Sequence, residues 1–249
     1  MLANPNPKIH QLNVSYCLNP WCSQPENART NRVCNTCGTK LILKERYRAI
    51  AFLSAGGMGR NFLAVDEDTP SKKRCAIKQF SPDPSISGNS SAFEKAIELF
   101  NREASTLESL GDKCPQIPRL FAYFEQEKRL YLVQEYIDGE TLLDELTRWG
   151  TYDESQIRQL LADLLPVLKF IHDRGVIHRD IKPANLMRRS HLSGDRSTHL
   201  VLIDFGLARE LASPDRLTAT GAPLGTPAYM APEQWWNHGV GPQADQYAL

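Results

Sequence analysis

The sequence predicts an α+β chain, with a strand-rich stretch in front, a helix-rich stretch behind, and a small metal-stapled segment ahead of both. Three observations predict it. Four of the six cysteines fall between residues 17 and 37 as two short pairs. Apolar residues alternate through "RLYLVQEY", as in a half-buried strand, and apolar strand-like runs flank the Gly-rich "LSAGGMGRNFLAVD" ahead of it. From Tyr152 to Asp173 the apolar residues switch to helical spacing.

The totals bound the reading. At 249 residues the chain can bury a sizeable core, as one large domain or two small ones. Its hydrophobic fraction of 41% and charged fraction of 23% are ordinary for a globular protein. Net charge is zero, so nothing global points to nucleic acid or to an anionic membrane. Residues 1–48 carry seven Lys/Arg against two Asp/Glu, a surplus read as a solvated surface. No apolar stretch is long enough to span a bilayer, and "MLANPNPKIHQLNV" lacks the apolar core of a secretory signal. A cytoplasmic protein with reduced thiols is the expectation.

In the first segment, residues 1–44, Cys17 and Cys22 are separated by four residues and Cys34 and Cys37 by two, with eleven between the pairs. Each pair can present two thiolates from one tight turn, and two such turns complete a tetrahedron around Zn²⁺. Gly38 follows, where a turn wrapping a metal benefits from positive φ. The intervening loop is too polar to make a core, so the metal would supply most of its folding energy. Two disulfides or four inert thiols are the alternatives; disulfides need an oxidising compartment. Four thiolates leave no open position for catalysis, so the zinc is expected to be structural. Cys75 and Cys114 stand alone and read as small buried hydrophobes.

The strongest chemical signal lies later. "VIHRDIKPANLM" occupies 176–187, "LVLIDFGLARE" 200–210 and "GTPAYMAPE" 225–233. In order and content these runs resemble the Hanks-type serine/threonine protein kinases: His178, Arg179, Asp180 and Asn185 meet H-R-D-x-x-x-x-N, Asp204, Phe205 and Gly206 meet D-F-G, and Ala231 to Glu233 meet A-P-E. The resemblance implies a bilobal kinase-like fold over residues 45–249, with a small β-rich lobe over about 45–137 and a large, helical lobe over about 138–249. It implies ATP and Mg²⁺, and a protein substrate with a Ser or Thr acceptor. Asp180 is then the base for the attacking hydroxyl, and Lys182 steadies the transferred phosphoryl group. Asn185 and Asp204 are oxygen ligands suited to Mg²⁺. His178, Arg179, Phe205, Gly206 and Glu233 are structural.

The remaining elements follow in chain order. "LSAGGMGRNFLAVD" resembles the Gly-rich phosphate loop, with Leu53, Ser54, Ala55, Gly56, Gly57, Met58, Gly59 and Asn61 at the nucleotide. Ser54 stands where the first Gly belongs and Asn61 replaces a branched apolar residue, two departures expected to weaken nucleotide binding. A plain hairpin turn is the alternative for such a run taken alone. "CAIK" resembles the V-A-I-K strand, placing Ala76 against adenine and Lys78 on the α- and β-phosphates. Ser91 to Leu110 reads as the next helix, with Ser91 and Glu94 as a capping box, Gly111 as its stop, and Phe93, Ile97, Phe100, Leu107 and Leu110 on its apolar face. In the family's register Glu103 is the partner of Lys78. "RLYLVQEYIDGETL" resembles the last small-lobe strand and the hinge, with Gln134 behind the adenine, backbone groups of Glu135 and Ile137 on its edge, and Met187 as the pocket floor. The helix over 152–173 is expected to bend at Pro166. "SHLSGDRSTH" at 190–199 reads as a turn between strands.

Between D-F-G and A-P-E, Thr218 and Thr220 are candidate regulatory hydroxyls whose phosphorylation could pair with Arg179; an unmodified mobile loop is the alternative. Thr226 belongs with them by position, but its "PAYMAPE" context favours a structural hydroxyl near the base. The closing "ADQYAL" resembles the opening of the family's central large-lobe helix, with Asp245 as the anchor of the catalytic loop. Further helices follow in the family, so the resemblance implies an incomplete large lobe, a C-terminally truncated kinase, and a Glu233 without its usual arginine. The four cysteines ahead of the kinase motifs resemble the N-terminal extension of a cyanobacterial group of such kinases. Two functions stand open: a serine/threonine protein kinase, or a truncated, catalytically impaired remnant that binds nucleotide or a partner through its zinc knuckle. A nucleic-acid role lacks the basic and aromatic clustering it requires.

Overall fold

A computed structural model describes residues 13–56, 59–82, 90–190, 200–210, 225–236 and 239–249. Two compact units divide the chain: Met1–Pro84 with Leu120–Tyr136, and Ser85–Arg119 with Ile137–Leu249.

The first unit is β-rich. Strands β1 (Val14–Tyr16) and β2 (Glu26–Ala28) form an antiparallel hairpin within the cysteine segment. The main sheet is six-stranded and antiparallel, built from β3 (Ile42–Leu43), β4 (Tyr47–Gly56), β5 (Gly59–Asp66), β6 (Arg74–Phe80), β7 (Leu120–Gln126) and β8 (Arg129–Glu135) in the order β3-β4-β5-β6-β8-β7. Period-2 alternation sorts β5 onto two faces. Phe62 and Ala64 join Tyr47, Ala49, Cys75, Ile77, Tyr131 and Val133 in one cluster, while Leu63 and Val65 join Ile50 and Ala51 in another. Leu18, from the cysteine segment, is buried in the first of these clusters, and β1 packs on β4.

The second unit is mainly helical. Helix α1 (Ser90–Leu110) buries Ala96, Leu99, Phe100, Ala104, Leu107 and Leu110. It begins one residue ahead of Ser91, which puts that serine inside the first turn rather than at the cap. Ile97 is only half-buried, and Leu99 takes the buried place beside Phe100. Gly111 closes the helix, its amide donating to the Leu107 carbonyl at 2.8 Å. β9 (Gly139–Thr141) leads into α2 (Leu142–Trp149), which no sequence pattern above anticipated. Its start is held by a capping box between Thr141 and Asp144. α3 (Glu154–His172) carries Pro166 inside it and is capped by Asp153, whose side chain accepts from the Gln156 amide at 2.8 Å. β10 (Val176–Ile177) pairs with β13 (Arg209–Glu210), and β11 (Leu186–Arg189) lies between β9 and β12 (Leu200–Leu202). Short helices α4 (Pro232–Trp236) and α5 (Pro242–Tyr247) close the described chain. Among the described residues no helix is long and apolar enough to cross a membrane.

Candidate functional site

The "HRDIKPAN" segment runs from β10 into a 3₁₀ turn at Pro183–Asn185, and its side chains converge on Asp180. Lys182 Nζ donates to Asp180 Oδ2 and to Thr226 Oγ1, both at 2.7 Å. The Thr226 hydroxyl donates to Asp180 Oδ1 at 2.7 Å. Asn185 Nδ2 donates to the Asp180 carbonyl at 2.8 Å and to its Oδ2 at 3.0 Å. One carboxylate is thus held by an ammonium, a hydroxyl and an amide, with its side chain only 9% exposed. Both oxygens are fixed in direction before any substrate arrives. Asn185 commits its amide nitrogen to Asp180, leaving its side-chain oxygen as the group to offer a hard cation.

The backbone beneath this cluster is strained and then pinned. Arg179 has φ of 69°, a left-handed conformation unfavourable for a residue with a Cβ. Asp245, 1% exposed at the start of α5, answers it. Its Oδ2 accepts from the His178 amide at 2.8 Å and its Oδ1 from the Arg179 amide at 2.7 Å. His172 Nε2 lies 2.8 Å from the same Oδ2, so the last turn of α3 shares the anchor. Gln234 Nε2 donates to the Arg179 carbonyl at 2.8 Å, and its Oε1 accepts from the Ala231 amide at 3.1 Å. His172 and Gln234 were not singled out from the sequence. Gln234 acts on backbone, which leaves no spacing signal, and His172 reads as one more polar residue at a helix end.

His178 is fully buried, with Nε2 3.2 Å from the Ile203 carbonyl and its ring edge-on to Phe205 at 4.9 Å. Phe205 and Gly206 are buried in a 3₁₀ turn that α1 packs against. The residue before them, Asp204, is exposed and left-handed, with φ of 63°. Glu103 is buried on α1, and Met187 is half-buried on β11 opposite Thr141 and Val201. Ile137 is buried just after β8, and Glu233 is half-buried and forms no ion pair among the described residues.

In the first unit, β4 and β5 close as a hairpin with Gly56 opposite Gly59; Gly57 and Met58 between them lie outside the described residues. Ser54 and Asn61, the two departures from the glycine-loop pattern, are cross-strand partners, and Asn61 Nδ2 donates to Ser54 Oγ at 3.0 Å. Leu53 and Asn61 are half-buried and Ala55 is exposed. Gly59 is required sterically: a Cβ there would sit 2.5 Å from the Gln79 carbonyl oxygen. Lys78 is buried on β6 opposite Asn61 on one side and Leu132 on the other, and Ala76 lies opposite Gln134, with Glu135 pairing Cys75. Thr218 and Thr220 lie outside the described residues.

The four cysteines form a second centre. Their Sγ atoms all lie within 4.8 Å of one another, with Cys17 and Cys37 3.5 Å apart and Cys22 and Cys34 3.6 Å apart. Zn–S bonds of about 2.3 Å in a tetrahedron put sulfurs about 3.8 Å apart, so the set fits a four-thiolate metal ion. None of the four is joined in a disulfide here. Gly38 adopts φ of 72° in the turn after Cys37 and donates to the Cys34 carbonyl at 2.9 Å. Burial opposes ionisation of Cys37, but hydrogen bonds from Thr39, Asn19 and Cys17 outweigh it and bring its thiol down to about 6. Burial pushes Cys17 up instead. Asn27 Nδ2 donates to Cys34 Sγ at 3.4 Å, a second layer around the ligand.

A family model described as "Protein kinase domain" matches residues 47–249. Among curated proteins, the chain is 41% identical over 233 residues to serine/threonine-protein kinase B of a Synechocystis species, covering 89% of this chain and 38% of that protein. That coverage exceeds what residues 47–249 can supply, so the similarity extends into the cysteine segment. It is 43% identical over 198 residues to serine/threonine-protein kinase PknA of a Nostoc species, covering 78% of this chain and 34% of that protein. A more distant relative, PknB of Mycobacterium leprae, is 32% identical over 211 residues. The chain spans well under half the length of these relatives. With the kinase model matched from β4 to the last residue, the chain belongs to the protein kinase domain family.

Proposed function

We propose that this chain is the kinase domain of a serine/threonine protein kinase, transferring the γ-phosphoryl group of ATP to a Ser or Thr hydroxyl of a protein. One observation carries the reading: Lys182, Thr226 and Asn185 all hold the Asp180 carboxylate. Asp180 accepts the proton of the incoming hydroxyl, aimed by these three contacts so that little reorganisation is needed at the moment of transfer. Lys182, bonded to Asp180 and Thr226, is the group assigned to steady the transferred phosphoryl oxygens. Mg²⁺, when bound, neutralises charge on the phosphates; Asn185 and Asp204 supply oxygen ligands for it. In the first unit, Lys78 and the backbone around Gly56 and Gly59 are assigned to the phosphates and Gln134 and Glu135 to the adenine; in the second, Ile137 and Met187 are assigned to the adenine. Thr226, bonded to Asp180 and Lys182, acts as a positioning hydroxyl rather than as a phosphorylation switch. The four cysteines hold a structural Zn²⁺, as reduced thiols in the cytoplasm would.

The test is phosphate transfer from labelled ATP to casein by purified residues 1–249, beside Asp180→Asn. The native chain should transfer, and the variant should fall by at least about a hundredfold. Equal signals from the two would sink the assignment of the base.

A further inference from the structure

The cysteine segment is fastened to the strands proposed to bind nucleotide by three separate contacts. Gln79 follows Lys78 on β6 and is fully buried. Its Nε2 donates to the Leu18 carbonyl at 2.9 Å and approaches the Tyr131 hydroxyl at 3.1 Å. Leu18 is the residue after Cys17, and its own side chain is 2% exposed in the sheet core. On β4, buried Arg48 donates through Nη1 to Ser15 Oγ at 2.5 Å and to the Asn31 carbonyl at 2.8 Å. Its Nε donates to Glu67 at 2.9 Å, and Glu67 also pairs with Arg29 of the segment at 3.3 Å. The third contact is aromatic. Tyr16 packs against Phe62 at 5.8 Å and Phe52 at 6.4 Å, and the Arg60 guanidinium lies over both phenylalanine rings.

The anchors on the segment side lie close in sequence to thiols: Tyr16 and Leu18 flank Cys17, Ser15 lies two residues before it, and Asn31 lies three residues before Cys34. A metal joining Cys17, Cys22, Cys34 and Cys37 fixes the path of the chain through all three anchors; without it, a polar loop must hold them unaided. On the sheet side, the anchored residues touch the phosphate-binding strands directly. The Gln79 carbonyl is the atom against which Gly59 is packed, and Arg60 pairs in register with Gln79.

We propose that the four-cysteine centre braces the nucleotide strands, so that metal binding there raises nucleotide affinity, with Gln79 and Arg48 as the positioning residues that carry the coupling. The proposal rests on the reading that Lys78 and the β4–β5 hairpin hold ATP.

The experiment uses the full chain, zinc-loaded or stripped by chelator, with zinc content measured directly. A fluorescent ADP analogue reports affinity, and amide hydrogen exchange reports β5 and β6. Stripping should weaken the analogue on the order of tenfold and speed exchange in both strands. Gln79→Leu should keep one zinc, bind the analogue with the weakened affinity already, and respond little to stripping. Ser15→Ala should show the same trend more mildly, and decides the matter if Gln79→Leu does not fold. Unchanged affinity and exchange after stripping would overturn the brace, as would a native chain that retains no zinc. A zinc-loaded chain that binds no analogue would instead refute the ATP reading, while exchange in β5 and β6 would still decide whether the brace exists.

Discussion

Asp245 is the side chain on which the catalytic loop turns. Its two oxygens accept from successive amides, those of His178 and Arg179, and the second residue is left-handed. Such a conformation costs on the order of 1–3 kcal/mol and persists only where surrounding bonds over-determine it. Asp245→Asn tests this with almost no change in size. One oxygen survives, but the other becomes an NH₂ facing the backbone N–H of Arg179 or of His178, donor against donor. Transfer should fall on the order of a hundredfold, since Asp180 follows Arg179 directly. Zinc content should be unchanged, and the loss should appear in kcat rather than in the KM for ATP. The identity of Asp245 was legible in "ADQYAL" because a sequence motif names it. Its neighbours His172 and Gln234 were not legible. They act through a shared carboxylate and a carbonyl oxygen, and a contact to backbone leaves no constraint on residue spacing.

Between elements, close approach decides which residues are tolerated. β9 and β11 pair so tightly that a Cβ on Gly139 would lie 2.0 Å from the Arg188 carbonyl oxygen. Gly139→Ala must push the strands apart and disturb the pairing of Thr141 with Met187. The expected destabilisation is about 1–3 kcal/mol, read as a lowered midpoint in urea unfolding with an unchanged slope. A matching Gly150→Ala is strained for a different reason, its φ of 85°, and meets no atom within 4 Å. Strand β8 was legible from its alternation, β5 from its apolar run after the glycines, β6 from its likeness to V-A-I-K, and α3 from its spacing. α2 was overlooked because eight residues give barely two turns of periodicity, and its signal is the local Thr141–Asp144 box rather than a long apolar stripe. Ser54 and Asn61 looked from the sequence like two independent losses in the phosphate loop. The register makes them one cross-strand hydrogen bond, a relation that only strand pairing exposes.

At the scale of the molecule, charge that looks like surplus in the sequence is matched across elements. Of the basic residues in the first 48, Arg29 and Arg48 pair with Glu67, Arg46 with Asp66 and Arg32 with Glu45. The partners are up to 38 positions away, which is why composition alone read them as solvated. These pairs set a pH dependence. The Arg46 hydrogen bonds hold the Asp66 carboxyl below its ordinary value against the opposing effect of burial. Burial pushes Glu67 up, but Lys72, Arg48 and Arg29 outweigh it, and its net shift is also downward. A carboxylate with a depressed folded pKa contributes stability above its unfolded pKa and loses it as pH falls through the folded value. Stability should therefore be constant from neutrality down to about pH 5 on this account, then fall from about pH 4 downward. Acid also protonates thiolate ligands, so the difference between native chain and Asp66→Asn isolates the carboxylate. The variant should melt at a lower temperature at pH 7, and the gap should close as both are taken below about pH 3. A gap that stays constant across that range would mean that the Arg46–Asp66 pair contributes through packing, with no linkage to proton binding.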